Sequence, residues 1–282
     1  MTSIWRFIDS GAFDAAYNMA LDEAIAICVR NGEVPPTLRL YGWKCMSVSL
    51  GSFQKITDID LTYCITNNIP VVRRPTGGRG ILHGDELTYS FSAKNEGEFS
   101  ASLLETYRKL SVAFQLAMER IGLKVVMKME REIGRNLTRS PLCFKSTAYG
   151  EISLDGRKLI GSAQKRWSDG FLQQGSMPYL IDYEKTALVF KTNTPALQYS
   201  NHGMAGVKEL VAGFDQEKFL GCIKLAFEEI FGVTLADSRP SPQEQELAHL
   251  LSSEKYQNPQ WTQGTAKNIR FCNNSGILRK VL

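Results

Sequence analysis

The segment RRPTGGRGILHG (73–84) places Arg73 and Arg74 just before a glycine-rich turn and His83 just after it. Glycines at 77, 78 and 80 let the backbone approach a ligand closely and offer N–H groups to an oxyanion or a phosphate. Arg74 would add a forked cation. A plain hairpin turn with exposed arginines has the same pattern, and on pattern alone that simpler reading is favoured. The segment lacks the Gly-Lys-Ser/Thr of a Walker loop, and GGRG does not have GxGxxG spacing.

A second segment, CFKSTAYGEISLDGRKLIGSAQKRW (143–167), sets Lys158 after a hairpin turn on a strand that continues through Gly161, Ser162 and Ala163. Small residues there leave room for a ligand. The alternative is a solvated strand lysine, the usual situation of a single lysine. Cys143, read in isolation, is a buried thiol.

Local patterns give the elements that must position these groups. Residues 13–30 read as a helix with apolar positions at Ala20, Leu21, Ala24, Ile25, Cys28 and Val29, stopped by Asn31-Gly32. TLRLYGW (37–43), MSVSLGSF (46–53) and VVRR (71–74) read as strands. Residues 58–68 form a short helix capped by Thr57 or Asp58. GILHG and LTYSFSA add strand material, and residues 100–121 form the longest helix. KVVMKM (124–129) is a strand. From 147 to 179 the chain is a meander with Asp155-Gly156 and Asp169-Gly170 at its turns, a strong hairpin signal. Residues 192–212 look irregular. Helices follow over 216–231 and 242–251.

The 282 residues carry 33 Lys plus Arg against 29 Asp plus Glu, 43% hydrophobic and 22% charged residues. That balance excludes a disordered or fibrous chain. No apolar run approaches the roughly 20 residues of a membrane span, and the start lacks a secretory pattern. Six scattered cysteines with no CxxC pair, and only three histidines, offer no metal-ligand spacing and fit a reducing cytoplasm. Residues 120–166 hold eleven basic and four acidic side chains. That segment is either a solvated basic face or a surface for an acidic partner. No nucleic-acid module is recognisable. Mixed strands, hairpins and flanking helices make the class α+β, or mixed α/β.

Together the segments resemble the biotin/lipoate protein ligase and transferase family. The likeness rests on Arg73-Arg74, Thr76-Gly77-Gly78, His83, Glu86-Leu87-Thr88-Tyr89-Ser90 and Gly156-Arg157-Lys158 through Gly161-Ser162-Ala163. The early helix (Asn18, Ala20, Asp22, Glu23), the LRLYGW and SLGSFQ strands and LQQGS (172–176) add to it. It covers roughly residues 1–235. Arg79, where ligases usually carry a third glycine, and Cys143, fifteen residues before Lys158, bring the chain nearest to the cysteine-dependent octanoyltransferases of lipoate biosynthesis. Gly84 departs from the aspartate usual after the histidine.

The resemblance implies a mixed sheet flanked by helices, like the catalytic domain of class II biotin/lipoate ligases, with a smaller sheet beside it. It implies a catalytic domain over 1–235 and a helical extension or cap over 236–282. The implied reaction takes octanoyl from acyl carrier protein onto Cys143 and passes it to a lysine of a lipoyl-accepting protein, such as glycine cleavage H protein or a 2-oxoacid dehydrogenase lipoyl domain. Lys158 would assist. Arg74, Thr76, Gly77, Gly78, His83, Gly161, Ser162 and Ala163 would bind substrate. No cofactor, metal, nucleic acid or membrane is then required, and a monomer is expected. Three rivals remain: an ATP- and Mg-dependent lipoate–protein ligase, an amidotransferase between lipoyl-accepting proteins, and a non-catalytic acyl- or carrier-binding protein.

Overall fold

A computed structural model describes residues 2–100, 102–128, 150–191 and 203–265. Eleven strands are described: β1 (Ser3–Phe13), β2 (Thr37–Trp43), β3 (Ser47–Leu50), β4 (Val71–Arg73), β5 (Ile81–His83), β6 (Glu86–Lys94), β7 (Val126–Met127), β8 (Ile152–Leu154), β9 (Arg157–Arg166), β10 (Gly170–Pro178) and β11 (Val233–Asp237). The helices are α1 (Ala15–Asn31), α2 (Leu61–Thr66), α3 (Leu103–Arg120), α4 (Tyr183–Val189), α5 (Val207–Leu210), α6 (Gln216–Phe231), α7 (Pro242–Leu251) and α8 (Pro259–Gln263). Eight strands form one sheet in the order β11-β1-β2-β6-β10-β9-β8-β7, and β4-β3-β5 form a second. β1 runs parallel to β2 and β11, and the pairings from β2 through β7 are antiparallel. This is the mixed sheet with a smaller companion that the resemblance implies.

Strand periodicity divides the large sheet into two chemically different faces. On β6, Leu87, Tyr89 and Phe91 join the core beneath α3 and α6, with Leu38, Leu40, Phe171 and Met177 from neighbouring strands. Thr88 and Ser90 alternate with them, as do Arg39 and Tyr41 on β2 and Gln174 and Ser176 on β10. These polar side chains are nevertheless buried, because α1 and the small sheet cover that side. α1 therefore buries nearly its whole circumference, including Asn18, Asp22 and Glu23.

Several boundaries differ from the sequence reading. The short helix begins at Leu61, and Asp60, rather than Thr57 or Asp58, caps it by accepting from the Tyr63 N–H at 2.9 Å. A single 3-10 turn at Ile56–Asp58 takes the earlier residues. β1 and β11, to which the sequence reading assigns no strand, form one edge of the sheet. Asp155 and Gly156 both have positive φ, 49° and 76°, as a two-residue hairpin turn requires. Gly170 is not in the left-handed region. It is glycine because a Cβ there would lie 2.7 Å from the Ala93 carbonyl oxygen.

The segment after 235 is tied into the fold by buried charge. Arg6 donates to both carboxylate oxygens of Glu244, at 2.7 and 2.8 Å. Lys255 donates to both oxygens of Glu23 at 2.7 Å, and the Tyr256 hydroxyl donates to the same carboxylate at 2.6 Å. Burial would raise the Glu23 carboxyl, but the Lys255 charge and these hydrogen bonds outweigh it and hold it below the usual value. Among the described residues no helix is long and apolar enough to cross a membrane.

Candidate active site

The polar face of the large sheet, α1 and the small sheet enclose a narrow slot, and the expected substrate-binding residues Thr76, Gly77 and Gly78 are not among those that line it. It is lined by Met19, Tyr41, Trp43, Ser49, Arg74, Ile81, His83, Thr88, Gly161, Ser162, Ala163, Gln174, Gly175 and Ser176, with about 20 Å³ of open space. Five of the expected substrate-binding residues, Arg74, His83, Gly161, Ser162 and Ala163, thus meet along one cavity although up to 89 positions separate them (163 − 74). A wider cleft of about 650 Å³ adjoins it and shares Ile81 and His83.

Arg74 lies under the turn. Its guanidinium donates to the carbonyl oxygens of Gly77 (2.7 Å), Arg79 (2.8 Å) and Ser49 (3.1 Å), and to the Ser49 hydroxyl (3.1 Å). Its described contacts hold backbone in place, where the sequence pattern suggests a cation aimed at a ligand. Gly78 has φ +86°, and a Cβ on it would sit 2.9 Å from Arg74 Nη2. Gly51, on the neighbouring loop, passes so close that a Cβ would lie 1.9 Å from the Gly78 carbonyl oxygen. Gly77 has open space beside it.

Thr76 anchors the other end of the turn by donating to Gln174 Oε1 at 2.8 Å. Gln174 in turn donates to Asp22 Oδ2 at 2.7 Å. The Asp22 carboxylate also accepts from Arg39 (2.7 Å), the Tyr41 hydroxyl (2.7 Å) and the Ser90 hydroxyl (2.6 Å). Four donors satisfy a carboxylate with no solvent exposure. Arg73 is a second hub. It donates to the carbonyls of Gly51, Ser52 and Gln54 on one side and of Trp261 and Thr262 on the other, joining the slot's loop to α8. Burial lowers its pKa.

His83 is fixed on three sides. Its ring stacks on Trp43, centroids 3.8 Å apart at 15°. Its Nδ1 meets Glu86 Oε1 at 2.8 Å, and its Nε2 meets the Ser49 hydroxyl at 2.7 Å. Glu86 Oε1 also accepts from Thr88, which accepts from Trp43 Nε1 at 2.7 Å. Burial would raise the Glu86 carboxyl, but the His83 charge and the His83 and Thr88 hydrogen bonds prevail and lower it.

Lys158 is not a solvated strand lysine. It is 1% exposed, and its ammonium donates to the buried Glu151 carboxylate just before β8. Its backbone N–H donates to the Gly203 carbonyl and its carbonyl accepts from the Ala205 N–H, which fixes its strand position. Four positions farther along β9 (162 − 158), Ser162 shares a 2.7 Å hydrogen bond with the Tyr89 hydroxyl. Cys143 lies outside the described residues. Sequence reasoning missed Glu151, Ser49, Gln174 and Met19. A signal existed for Glu151, since a hairpin at Asp155-Gly156 folds position 151 back toward 158.

Comparison with known proteins shows the family. Residues 14–228 match the model of the lipoyl protein ligase A/B catalytic domain. The octanoyltransferase LipM of Carboxydothermus hydrogenoformans is 37% identical over 271 residues, covering 91% of this chain and 97% of that protein. The octanoyltransferase LipM of Bacillus subtilis is 34% identical, again over 91% and 97%. A bi-partite lipoate protein ligase from Thermoplasma acidophilum superposes with a TM-score of 0.77 at 20% identity, covering 94% of this chain and 98% of that one. Lipoate-protein ligase A bound with ATP gives 0.77 at 21%, over 94% and 100%. At such identity the two structures speak to the fold alone. The chain belongs to the lipoyl protein ligase A/B catalytic-domain family, and along nearly its whole length it is similar to that family's LipM octanoyltransferases.

Proposed function

We propose that the protein is an octanoyltransferase of lipoate biosynthesis, moving octanoyl from acyl carrier protein to a lysine of a lipoyl-accepting protein through a thioester on Cys143. The observation that carries the reading is 33–37% identity, over 91% of the chain, to proteins named octanoyltransferase LipM. In the first step the Cys143 thiolate attacks the donor thioester. A new C–S bond forms, and the carrier's phosphopantetheine thiol leaves with a proton. In the second step the acceptor ε-amine attacks the acyl-cysteine, an amide forms, and the Cys143 thiol returns. The donor is already activated, so the free energy of the thioester drives the amide without ATP.

The slot supports the acyl chain in this reading. Each buried methylene contributes roughly 0.8 kcal/mol, which lets a slot of fixed depth select chain length. Its open space is small, and Met19, unbranched and free at three torsions, is the lining side chain best able to yield to the chain. Lys158, paired with Glu151 from just before β8, stands on the strand that carries Gly161 to Ala163 into the slot, and there it would polarise the acyl carbonyl and handle the amine proton.

The test is intact mass of the protein after incubation with octanoyl-acyl carrier protein and no ATP. A hydroxylamine-labile octanoyl adduct, absent in Cys143→Ala, followed by transfer to a lipoyl-accepting domain, is the expected result. Lipoylation that requires free lipoate and ATP, and survives Cys143→Ala, would establish the ligase instead.

A further inference from the structure

Ser49, His83 and Glu86 form an arrangement to which the acyl-cysteine route assigns no chemical step. The Ser49 Oγ to His83 Nε2 distance is 2.7 Å, and His83 Nδ1 lies 2.8 Å from Glu86 Oε1. The Glu86 carboxylate, which also accepts from Thr88, can only accept a hydrogen bond, so Nδ1 carries the ring hydrogen. In the neutral ring Nε2 is then the acceptor, and the Ser49 hydroxyl donates to it. These are the contacts of a nucleophile, its base and the group that orients the base.

Three further features distinguish this trio from an incidental buried hydrogen bond. The imidazole is clamped against Trp43, and Thr88 holds Glu86, so the base and its orienting carboxylate are both rigid. Arg74 Nη1 donates to Ser49 Oγ at 3.1 Å, which fixes the hydroxyl between the guanidinium and the imidazole and aims its hydrogen at His83. Ser49 and His83 line the acyl slot, and His83 also borders the wide cleft, through which a leaving group or water can pass.

We propose that Ser49, His83 and Glu86 constitute a second acyl-transfer centre, a serine hydrolase site for medium-chain acyl esters and thioesters that works without Cys143. Ser49 Oγ bonds to the acyl carbon as the ester C–O or thioester C–S bond breaks. His83 Nε2 takes the serine proton and returns it to the leaving oxygen or sulfur. Water then attacks the acyl-serine, its proton passes through His83 to Ser49 Oγ, and a free carboxylic acid departs.

The experiment uses the full chain carrying Cys143→Ala, so that the cysteine route is closed. p-Nitrophenyl octanoate is the probe, with release of p-nitrophenol followed over time. The expected result is steady turnover that falls on the order of 100-fold or more when Ser49→Ala or His83→Ala is added. Independently, a fluorophosphonate should label the Cys143→Ala protein at Ser49, located by peptide mass, which requires no change at the site itself. No turnover by Cys143→Ala, turnover indifferent to Ser49→Ala in a protein whose melting is unchanged, or a label on any other residue overturns the proposal. None of these results bears on the cysteine adduct formed by the unmodified enzyme, so the two readings fail separately.

Discussion

Lys158 and Glu151 meet across the β8–β9 hairpin, with the ammonium donating to the carboxylate where neither is open to solvent. Removing one partner leaves the other as a buried charge whose neutralisation is lost, which is more damaging than the interaction alone would indicate. Lys158→Ala should lower octanoyl transfer on the order of 10²–10⁴-fold. Glu151→Gln keeps the shape and a hydrogen-bond acceptor. It should spare formation of the Cys143 adduct more than its aminolysis. Single-turnover measurements of the two half-reactions distinguish this from a general loss of folding, which would depress both alike.

Met19 narrows the slot beside Gln174, whose amide lies 3.4 Å from the Met19 sulfur. Met19→Ala should shift donor preference toward acyl chains longer than eight carbons, and Met19→Phe toward shorter ones. Competition between carrier proteins loaded with C6, C8, C10 and C12 chains reads the shift directly. Unchanged preference in both variants would place the chain elsewhere.

Asp22 is buried with four donors, among them Gln174, which leads to the glycine turn, and Arg39 and Tyr41 on β2. Asp22→Ala should cost about 3–5 kcal/mol, since Arg39 would be left without its carboxylate. The melting temperature should fall by on the order of 10 °C.

Gly51→Ala addresses the close approach of the loop to the turn. The added methyl would lie 1.9 Å from the Gly78 carbonyl oxygen, so the turn must move. Because Arg74 and Thr76 hold the turn from beneath, the displacement should appear as a raised KM for the acyl donor, with melting lowered less than in Asp22→Ala. Kinetics and calorimetry on the same preparations check both halves.

Glu23 and Glu86 are both lowered from an ordinary 4.5 in the folded protein. A carboxyl depressed on folding contributes stability that is fully present above its unfolded pKa and is lost as pH falls through its folded one. The protein should therefore lose stability on acidification from about pH 5 downward. Glu23→Gln should flatten that slope while lowering stability at neutral pH, because Lys255 would lose its charge partner. Denaturant melts across the acid range measure the slope.

Local structure is legible in the chain's own residues. Gly32 follows α1 with φ 77°, Asp155-Gly156 turns the β8–β9 hairpin, and alternation along β6 separates Leu87, Tyr89 and Phe91 from Thr88 and Ser90. Ordered motifs also identify the family, because the chemistry of the turn and of the lysine strand restricts which residues can stand there. Where these pieces point depends on packing. Arg74 looks like a ligand-facing cation until the turn closes over it, and its forked donors then meet carbonyl oxygens. Lys158 looks solvated until the hairpin brings Glu151 beside it. Ser49 is an ordinary strand serine until β5 pairs with β3 and sets His83, opposite Ser47, on the diagonal from it. A hydrogen bond depends on angle and on tenths of an ångström, and burial on what covers a face. Both are properties of elements distant in sequence, so no local pattern records them.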